Sequence, residues 1–158
     1  MGTETSRSVT IREAGPADAA AIYEVGMECF ADAWREETVA SDMEKPHSQY
    51  FVAEAAGKIL GYACYWYVLD EAQLVNIGVR KESRRHGIAA RLVEEGLAAA
   101  AGKGMQSMYL EVRVSNLPAQ ALYRTFGFSV KALRKGVYEM PHEDGYIMAK
   151  EIAASSEL

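Results

Sequence analysis

The order of predicted elements between residues 72 and 128 most constrains how this chain can fold. A strand over 72–80 runs into a basic turn, and apolar residues at helical spacing begin just after Gly87. The segment SMYLEVR then alternates apolar and polar residues, which is typical of a half-buried strand. A second helix follows, with Asn116 as its candidate N-cap and Gly127 just past its end. The chain is therefore predicted to be of the α/β class.

Further elements are predicted on both sides of this segment. SVTIREA predicts a strand, GPADAAAIYEVGMECF a helix and WREETVASDM a second, short helix. Three strands between 49 and 79, separated by turns at Gly57–Lys58 and Asp70–Glu71, predict an antiparallel meander. Two closing strands, near 128–138 and 144–151, complete a mixed sheet.

Length and apolar content favour one domain. The chain has 158 residues, of which 49% are hydrophobic, enough for one core but too short for two. We expect a core over about 9–151 and flexible ends at 1–7 and 153–158.

Charge and cysteine content exclude several functions. The formal net charge is -5, which argues against general binding to nucleic acid or anionic membranes. Cys29 and Cys64 form no C-x-x-C pair, and the three histidines have no metal-ligand spacing, so we expect no disulfide framework and no metal. No apolar stretch approaches the roughly 18 residues of a membrane span, and no signal-peptide core is present. A cytoplasmic location is expected.

The basic turn is a candidate anion site. It belongs to a cluster of five cationic side chains, which are Arg80, Lys81, Arg84, Arg85 and Arg91. The free N–H groups of the helix that follows add partial positive charge, and Gly87 lets a phosphate approach the main chain. A pyrophosphate suits this arrangement. The alternative is a solvated basic loop that caps an ordinary helix. G-x-G-x-x-G and the P-loop signature are absent.

Four stretches together resemble the GNAT acetyltransferases, in particular the RimI-type protein N-terminal acetyltransferases. They are VLDEAQLVNIGV, RRHGIAARLVE, YLEVRVSNLPAQALYRTFGF and EDGYIMAK, and the resemblance covers about residues 9–151. It implies the GNAT fold, with a central mixed, mostly antiparallel sheet of six or seven strands flanked by about four helices. It also implies acetyl-CoA as the co-substrate and an amine as the acceptor.

The resemblance also assigns residues to acetyl-CoA. The family's Q/R-x-x-G-x-G/A turn, which cradles the pyrophosphate, falls on Arg84, Arg85, His86, Gly87, Ile88, Ala89 and Ala90. The family's splayed strand, whose main chain meets the pantetheine arm, falls on Ile77, Gly78 and Val79. Asn116 matches an asparagine that contacts the cofactor, and it is also a candidate N-cap.

Two catalytic residues follow from the same resemblance. Glu111 matches the general base, acting directly or through a water, and Tyr123 matches the general acid that protonates the departing sulfur. Each has a structural alternative: Glu111 as a solvent-facing strand residue and Tyr123 as an aromatic core residue.

The acceptor is expected between the loop FADAWRE and the closing hairpin, where Trp34 and Tyr138 match aromatic positions of the RimI type. Trp34 also suits the core, and Ala33 and Arg35 depart from the RimI pattern, as does a shortened hairpin. Three carboxylates of the hairpin would attract a cationic peptide, although Glu-Asp-Gly also predicts a turn; they are Glu139, Glu143 and Asp144.

The leading hypothesis is thus acetyl transfer to a protein N-terminus, possibly that of a ribosomal protein. One alternative is a GNAT enzyme that acetylates a small amine or a lysine side chain, since fold does not decide the acceptor. Another is a noncatalytic acyl-CoA-binding module, which would need neither Glu111 nor Tyr123. The choice between monomer and homodimer stays open.

Overall fold

The computed structural model describes residues 8–152, so the ends expected to be flexible, 1–7 and 153–158, lie outside the described residues. Two short 3-10 turns occur, at Pro16–Asp18 and Lys81–Ser83. The described part of the chain contains seven strands and four α-helices, in the order β1 (Thr10–Glu13), α1 (Ala19–Cys29), α2 (Glu36–Met43), β2 (Ser48–Ala55), β3 (Lys58–Val68), β4 (Glu71–Val79), α3 (Ile88–Gly102), β5 (Ser107–Arg113), α4 (Leu117–Thr125), β6 (Ser129–Glu139) and β7 (His142–Glu151).

The strands form one mixed sheet, which confirms the predicted fold class. Its order is β1-β2-β3-β4-β5-β7-β6, and every neighbouring pair is antiparallel except β4 with β5. The predicted meander of β2, β3 and β4 is present. The parallel pairing of β4 with β5 ends at Leu74 and Leu110, although β4 continues to Val79. Within residues 8–152, the second half of β4 therefore has no strand partner on the β5 side, and an opening lies between the two strands.

Two hydrophobic cores lie on opposite faces of the sheet, because neighbouring strand residues point to opposite sides. In β3, Tyr62 and Cys64 belong to one core and Ala63 and Tyr65 to the other. Helices α1 and α2 cover the first face, and α3 and α4 cover the second. In β5 the predicted alternation is confirmed, since Met108, Leu110 and Val112 are buried in the second core. Glu111 therefore points to the face that carries α1 and α2.

An ion-pair cluster joins β1 to the start of α1. The Arg12 guanidinium donates to both carboxylate oxygens of Asp18, at 2.9 and 3.0 Å, and to Glu54 at 2.8 Å. The Gly15 N–H also donates to Asp18, at 2.9 Å. The hydrogen bonds from Arg12 hold the pKa of Asp18 below its ordinary value, against a smaller opposing effect of burial.

Asp18→Asn is expected to lower the free energy of unfolding by about 1 kcal/mol at pH 7. Because the pKa of Asp18 is depressed in the folded state, its contribution is fully present above the unfolded value of about 4 and is lost as the pH falls further. Urea unfolding at pH 7 and at pH 3 measures the difference, which should shrink at the lower pH. Asp70→Asn, in an exposed turn, is the control. A difference that does not depend on pH would contradict the linkage.

Candidate active site

The turn before α3 has the geometry that an anion site needs. Gly87 is the N-cap of α3 with φ +76°, a conformation that favours glycine, and nothing lies within 4 Å of where a Cβ would stand. The free N–H groups at the start of this 15-residue helix are therefore open to a ligand. Arg84 and Arg85 are exposed beside Gly87, whereas the side chain of Ile88 is buried in the core.

Of the five basic residues expected to serve this anion site, Arg80 and Arg91 are engaged elsewhere, and Arg84 donates through Nε to the carbonyl of Val79. Arg80 is buried, donates to the carbonyl of Ile59 at 2.8 Å and pairs with Glu28 at 2.8 Å and Glu24 at 3.3 Å. Arg91 donates to the carbonyl of Val9 at 2.9 Å. Arg80 therefore fastens α1 to the end of β4, and it is not part of an anion site. The sequence offered no sign of this, since the two glutamates that pair with Arg80 lie more than fifty residues earlier.

The second half of β4 lies beside this turn. Ile77, Gly78 and Val79 pair with β3 and lie beyond the last residues that pair with β5. The carbonyl of Val79 accepts from Nε of Arg84 at 2.9 Å and from the thiol of Cys29 at 3.4 Å. A Cβ at Gly78 would approach Sγ of Cys29 to 3.1 Å, so glycine admits α1 close to this strand. The bond from Arg84 to Val79 thus joins the end of the predicted strand to the predicted turn, although Gly78, Val79 and Ile88 are themselves buried.

Glu111 lies on β5 with 24% of its side chain exposed. One of its oxygens, Oε2, accepts from Nη1 of Arg134 at 3.0 Å, and Arg134 is itself more than half exposed. The carboxylate is therefore reachable from solvent on a rigid strand, as the alternation in SMYLEVR indicated. Arg134 was not predicted, because β6 has register irregularities that hide which of its residues face Glu111.

Tyr123 lies on α4 and is only 5% exposed. Its ring packs edge-on against Phe128, with centroids 5.9 Å apart. Burial, and to a lesser degree the nearby Tyr138, raises the pKa of Tyr123 well above the ordinary value for tyrosine. The phenol is therefore protonated at neutral pH. Tyr123 does pack in the core, as the structural alternative held, and that packing is compatible with an acid role.

Asn116 is the N-cap of α4, as predicted. Its Oδ1 accepts from the N–H of Ala119 at 3.2 Å, and Pro118 occupies the first turn. The side chain is exposed, so a contact with a cofactor stays a prediction.

Trp34 and Tyr138 are each partly buried against other side chains, and Trp34 packs on the core beneath α1 and α2. Trp34 belongs to the loop between α1 and α2 and stacks on Trp66, with centroids 6.2 Å apart. The Tyr138 ring lies under the guanidinium of Arg113, 4.2 Å from its centroid. Burial, followed by the charge of Glu111, raises the pKa of Tyr138 to about 12, and Asp32 of the α1–α2 loop contributes in the same direction.

The acidic hairpin residues do not form the expected peptide-attracting group. Glu143 accepts from Arg113 at 3.2 Å and from the N–H of Ser115 at 2.7 Å. Asp144 accepts from the N–H of Gly136 at 2.7 Å. Both carboxylates therefore hold the hairpin together, and of the three only Glu139 is exposed.

Glu-Asp-Gly is not a turn, contrary to expectation. β7 begins at His142, and the turn lies at Met140–Pro141. A Cβ at Gly145 would come within 2.8 Å of the Tyr138 ring, so glycine is needed here to let that ring cross β7. Arg113 holds this turn through the carbonyls of Met140 and Pro141, at 2.9 and 2.8 Å. The alternation in β5 puts Arg113 on the same face as Glu111, a signal that could have found it.

Residues 8–152 contain neither a membrane-spanning helix nor a cluster of metal ligands. No helix there is both long and apolar enough to cross a bilayer. Within the same residues, no three His, Cys, Asp or Glu side chains group as metal ligands would.

Comparisons with known proteins identify the family. Residues 19–128 match the Acetyltransferase (GNAT) family. The [ribosomal protein bS18]-alanine N-acetyltransferase of Escherichia coli (strain K12) is 33% identical over 146 residues, 91% of this chain and 98% of that protein. The N-alpha-acetyltransferase RimI of Mycobacterium tuberculosis is 33% identical over 155 residues, 94% of this chain and 96% of that protein.

Solved structures agree with these sequence relatives. The crystal structure of the ribosomal-protein-S18-alanine N-acetyltransferase from Escherichia coli has a TM-score of 0.86 at 33% identity and covers 95% of this chain and 98% of its own. Arabidopsis thaliana NAA60, in complex with a bisubstrate analogue, has a TM-score of 0.83 at 20% identity, covers 93% of this chain and 99% of its own, and shows the shared fold. The chain therefore belongs to the GNAT family, whose acetyltransferases use acetyl-CoA, and it is an N-acetyltransferase of the RimI type.

Proposed function

We propose that this enzyme transfers the acetyl group of acetyl-CoA to the N-terminal α-amine of a protein. The observation that carries the proposal is the position of Glu111 on β5, where its carboxylate is reachable from solvent and its charge acts on Tyr138 of the closing hairpin. RimI-type relatives at 33% identity over most of the chain support the same acceptor.

The proposed acetyl-CoA site is the surface formed by the second half of β4 and the turn before α3. The open main chain at Gly87 and the exposed Arg84 and Arg85 fit a pyrophosphate, because they combine N–H donors with positive charge. His86 lies in this turn and Ala89 and Ala90 in the first turn of α3, and Ile77 to Val79 offer main-chain groups to an extended pantetheine arm. Asn116 lies at the start of α4 and adds an amide. When bound, acetyl-CoA supplies an activated thioester.

Glu111 is proposed to accept the proton of the attacking amine. An α-ammonium group has a pKa of roughly 7.7 to 8.0, so about a tenth or more of it is neutral near pH 7, whereas a lysine ammonium at about 10.4 is almost entirely charged. A single carboxylate on a rigid strand is adequate help for an N-terminal acceptor, because the amine becomes strongly acidic once it has attacked. The proton passes from the amine nitrogen to Glu111, directly or through a water.

Tyr123 is proposed to protonate the departing sulfur. Tyr123→Phe is expected to lower kcat at least about tenfold, and to leave acetyl-CoA affinity and Tm nearly unchanged, because phenylalanine preserves the packing on Phe128. Steady-state kinetics, calorimetric binding and thermal unfolding measure the three quantities. Tyr109→Phe, which removes a hydroxyl bonded to Gln73, is the matched control. Equal kcat for the two variants would rule out the acid role.

A ribosomal protein is the proposed acceptor, since the Escherichia coli relatives are named for alanine acetylation of ribosomal protein bS18. Such an acceptor implies that the enzyme works in the cytoplasm. Trp34 and Tyr138 are the proposed aromatic contacts to the peptide.

The test is to incubate the enzyme with acetyl-CoA and short peptides, and to locate the acetyl group by mass spectrometry. One set has free Ala, Ser or Met N-termini, and a second set is N-blocked with one internal lysine. Acetylation of the free α-amine alone is expected. Acetyl found only on lysine, or only on added small amines, would overturn the N-terminal acceptor and favour the alternative acceptors. No transfer despite acetyl-CoA binding would favour a noncatalytic module.

A further inference from the structure

Asp42 is a buried carboxylate on α2 that the proposed chemistry does not use. It is 6% exposed, and among residues 8–152 no lysine, arginine or histidine forms an ion pair with it. Burying a carboxylate without a cation is unfavourable unless strong hydrogen bonds compensate. The hydrogen bonds around Asp42 must therefore compensate for its burial.

Four side chains of β2 and β3 donate to the same oxygen of this carboxylate, Oδ2. They are the hydroxyls of Ser48 and Tyr50 at 2.9 and 2.8 Å, the indole N–H of Trp66 at 3.1 Å and the thiol of Cys64 at 3.7 Å. Because the donors come from two strands and the acceptor from a helix, this cluster fastens α2 to the sheet.

One of these donors connects the cluster to the acceptor loop. Trp66 donates to Asp42 and also carries the ring on which Trp34 stacks, at 6.2 Å and an interplanar angle of 25°. Trp34 lies in the loop that leads into α2, and the charge of Asp32 in the same loop helps to raise the pKa of Tyr138 on the closing hairpin. The Trp66 indole is therefore an aromatic surface on which Trp34 packs.

We infer that Asp42 is a positioning residue for the acceptor: by holding the indole of Trp66, it fixes Trp34 at one side of the acceptor entrance. The inference rests on the proposed function in that Trp34 contacts the acceptor peptide. Asp42 touches no reacting atom, so its removal should act on acceptor binding and leave the chemical step unaffected.

Kinetics separate this role from general stability. Asp42→Asn removes the charge that holds four donors, and Trp66→Phe keeps an aromatic ring but removes the indole donor. Each is expected to raise KM for the peptide about tenfold, with kcat and acetyl-CoA affinity within about twofold of the wild type. The double variant should be no worse than either single one, since both break the same link.

Tyr50→Phe is the matched control, because it removes another donor to the same oxygen without touching Trp66. Its KM should stay at the wild-type value. An equal rise in KM for Tyr50→Phe and Asp42→Asn, or additive effects in the double variant, would overturn the inference in favour of a merely structural role.

A second readout needs no acetyl transfer. Trp34 and Trp66 are the two tryptophans of the chain, so intrinsic fluorescence reports on this pair. In Asp42→Asn the emission should shift to longer wavelength and acrylamide quenching should increase, whereas Tyr50→Phe should match the wild type. Unchanged emission in Asp42→Asn would overturn the inference whatever the enzyme acetylates. Failure of the wild type to acetylate any peptide would instead count against the proposed function.

Discussion

Replacing Glu111 with glutamine is expected to lower kcat by at least about 100-fold, the usual effect of losing a general base. Glutamine has nearly the same size but cannot accept the proton of the attacking amine. Because Glu111 lies on β5 and away from the turn before α3, acetyl-CoA affinity should be unchanged. Steady-state kinetics with an N-terminal peptide, together with calorimetric binding of acetyl-CoA, measure both effects.

The pH dependence makes this prediction sharper. The fraction of acceptor α-amine that is already neutral rises through its pKa of roughly 7.7 to 8.0. Because Glu111 takes its proton from the amine only after the attack, kcat/KM of both enzymes should rise with this fraction between about pH 7 and pH 9, and their ratio should change little. Glu139→Gln, which removes an exposed carboxylate from the nearby hairpin, is the control and should keep wild-type activity. A Glu111→Gln enzyme with more than half of the wild-type kcat would rule out the base.

Gly96→Ala is expected to lower the free energy of unfolding by about 2 to 3 kcal/mol, at the upper end of overpacking effects. A Cβ on this residue of α3 would collide with the Tyr65 ring. That ring cannot move away easily, because it is fully buried, its hydroxyl donates to the carbonyl of Leu92 at 2.9 Å and its edge packs on Phe51. Chemical denaturation of the purified protein measures the loss.

The same helix provides the control. At Gly102 nothing lies within 4 Å of where a Cβ would stand, so Gly102→Ala should be neutral or stabilising by up to about 1 kcal/mol. Tyr65→Leu replaces the ring with a shorter side chain and leaves room for the added methyl group. In that background, Gly96→Ala should lower the free energy of unfolding much less. Equal stability of Gly96→Ala and the wild type would show that α3 packs further from β3 than described.

Elements with local signals could be predicted from the sequence. In β5 the alternation of apolar and polar residues determines which side chains are buried. It correctly predicted that Glu111 lies on the opposite face of the strand from Met108, Leu110 and Val112. The N-cap of α4 was also predictable, because Asn116 bonds to an N–H only three residues later. In both cases the deciding interactions lie within a few residues.

Partners across the sheet could not be predicted in the same way. Arg80 belongs to a basic cluster in the sequence, yet its charge is matched by Glu24 and Glu28 of α1. Glu143 resembles part of an exposed acidic turn, yet it bonds to Arg113 and to the main chain of Ser115. A charge that is already paired attracts no ligand, and the pairing depends on how helices and strands pack.

The sequence by itself therefore determined the order of elements, the glycine at the start of α3 and the residue types available for chemistry, because these depend on short-range periodicity and on backbone conformation. Only the tertiary structure decided which of those residues are free to act. The register of β6 on β7 sets Arg134 against Glu111, and the packing of α2 sets Asp42 under Trp66. Such contacts join residues 23 or 24 positions apart, and they form only when the whole sheet is assembled.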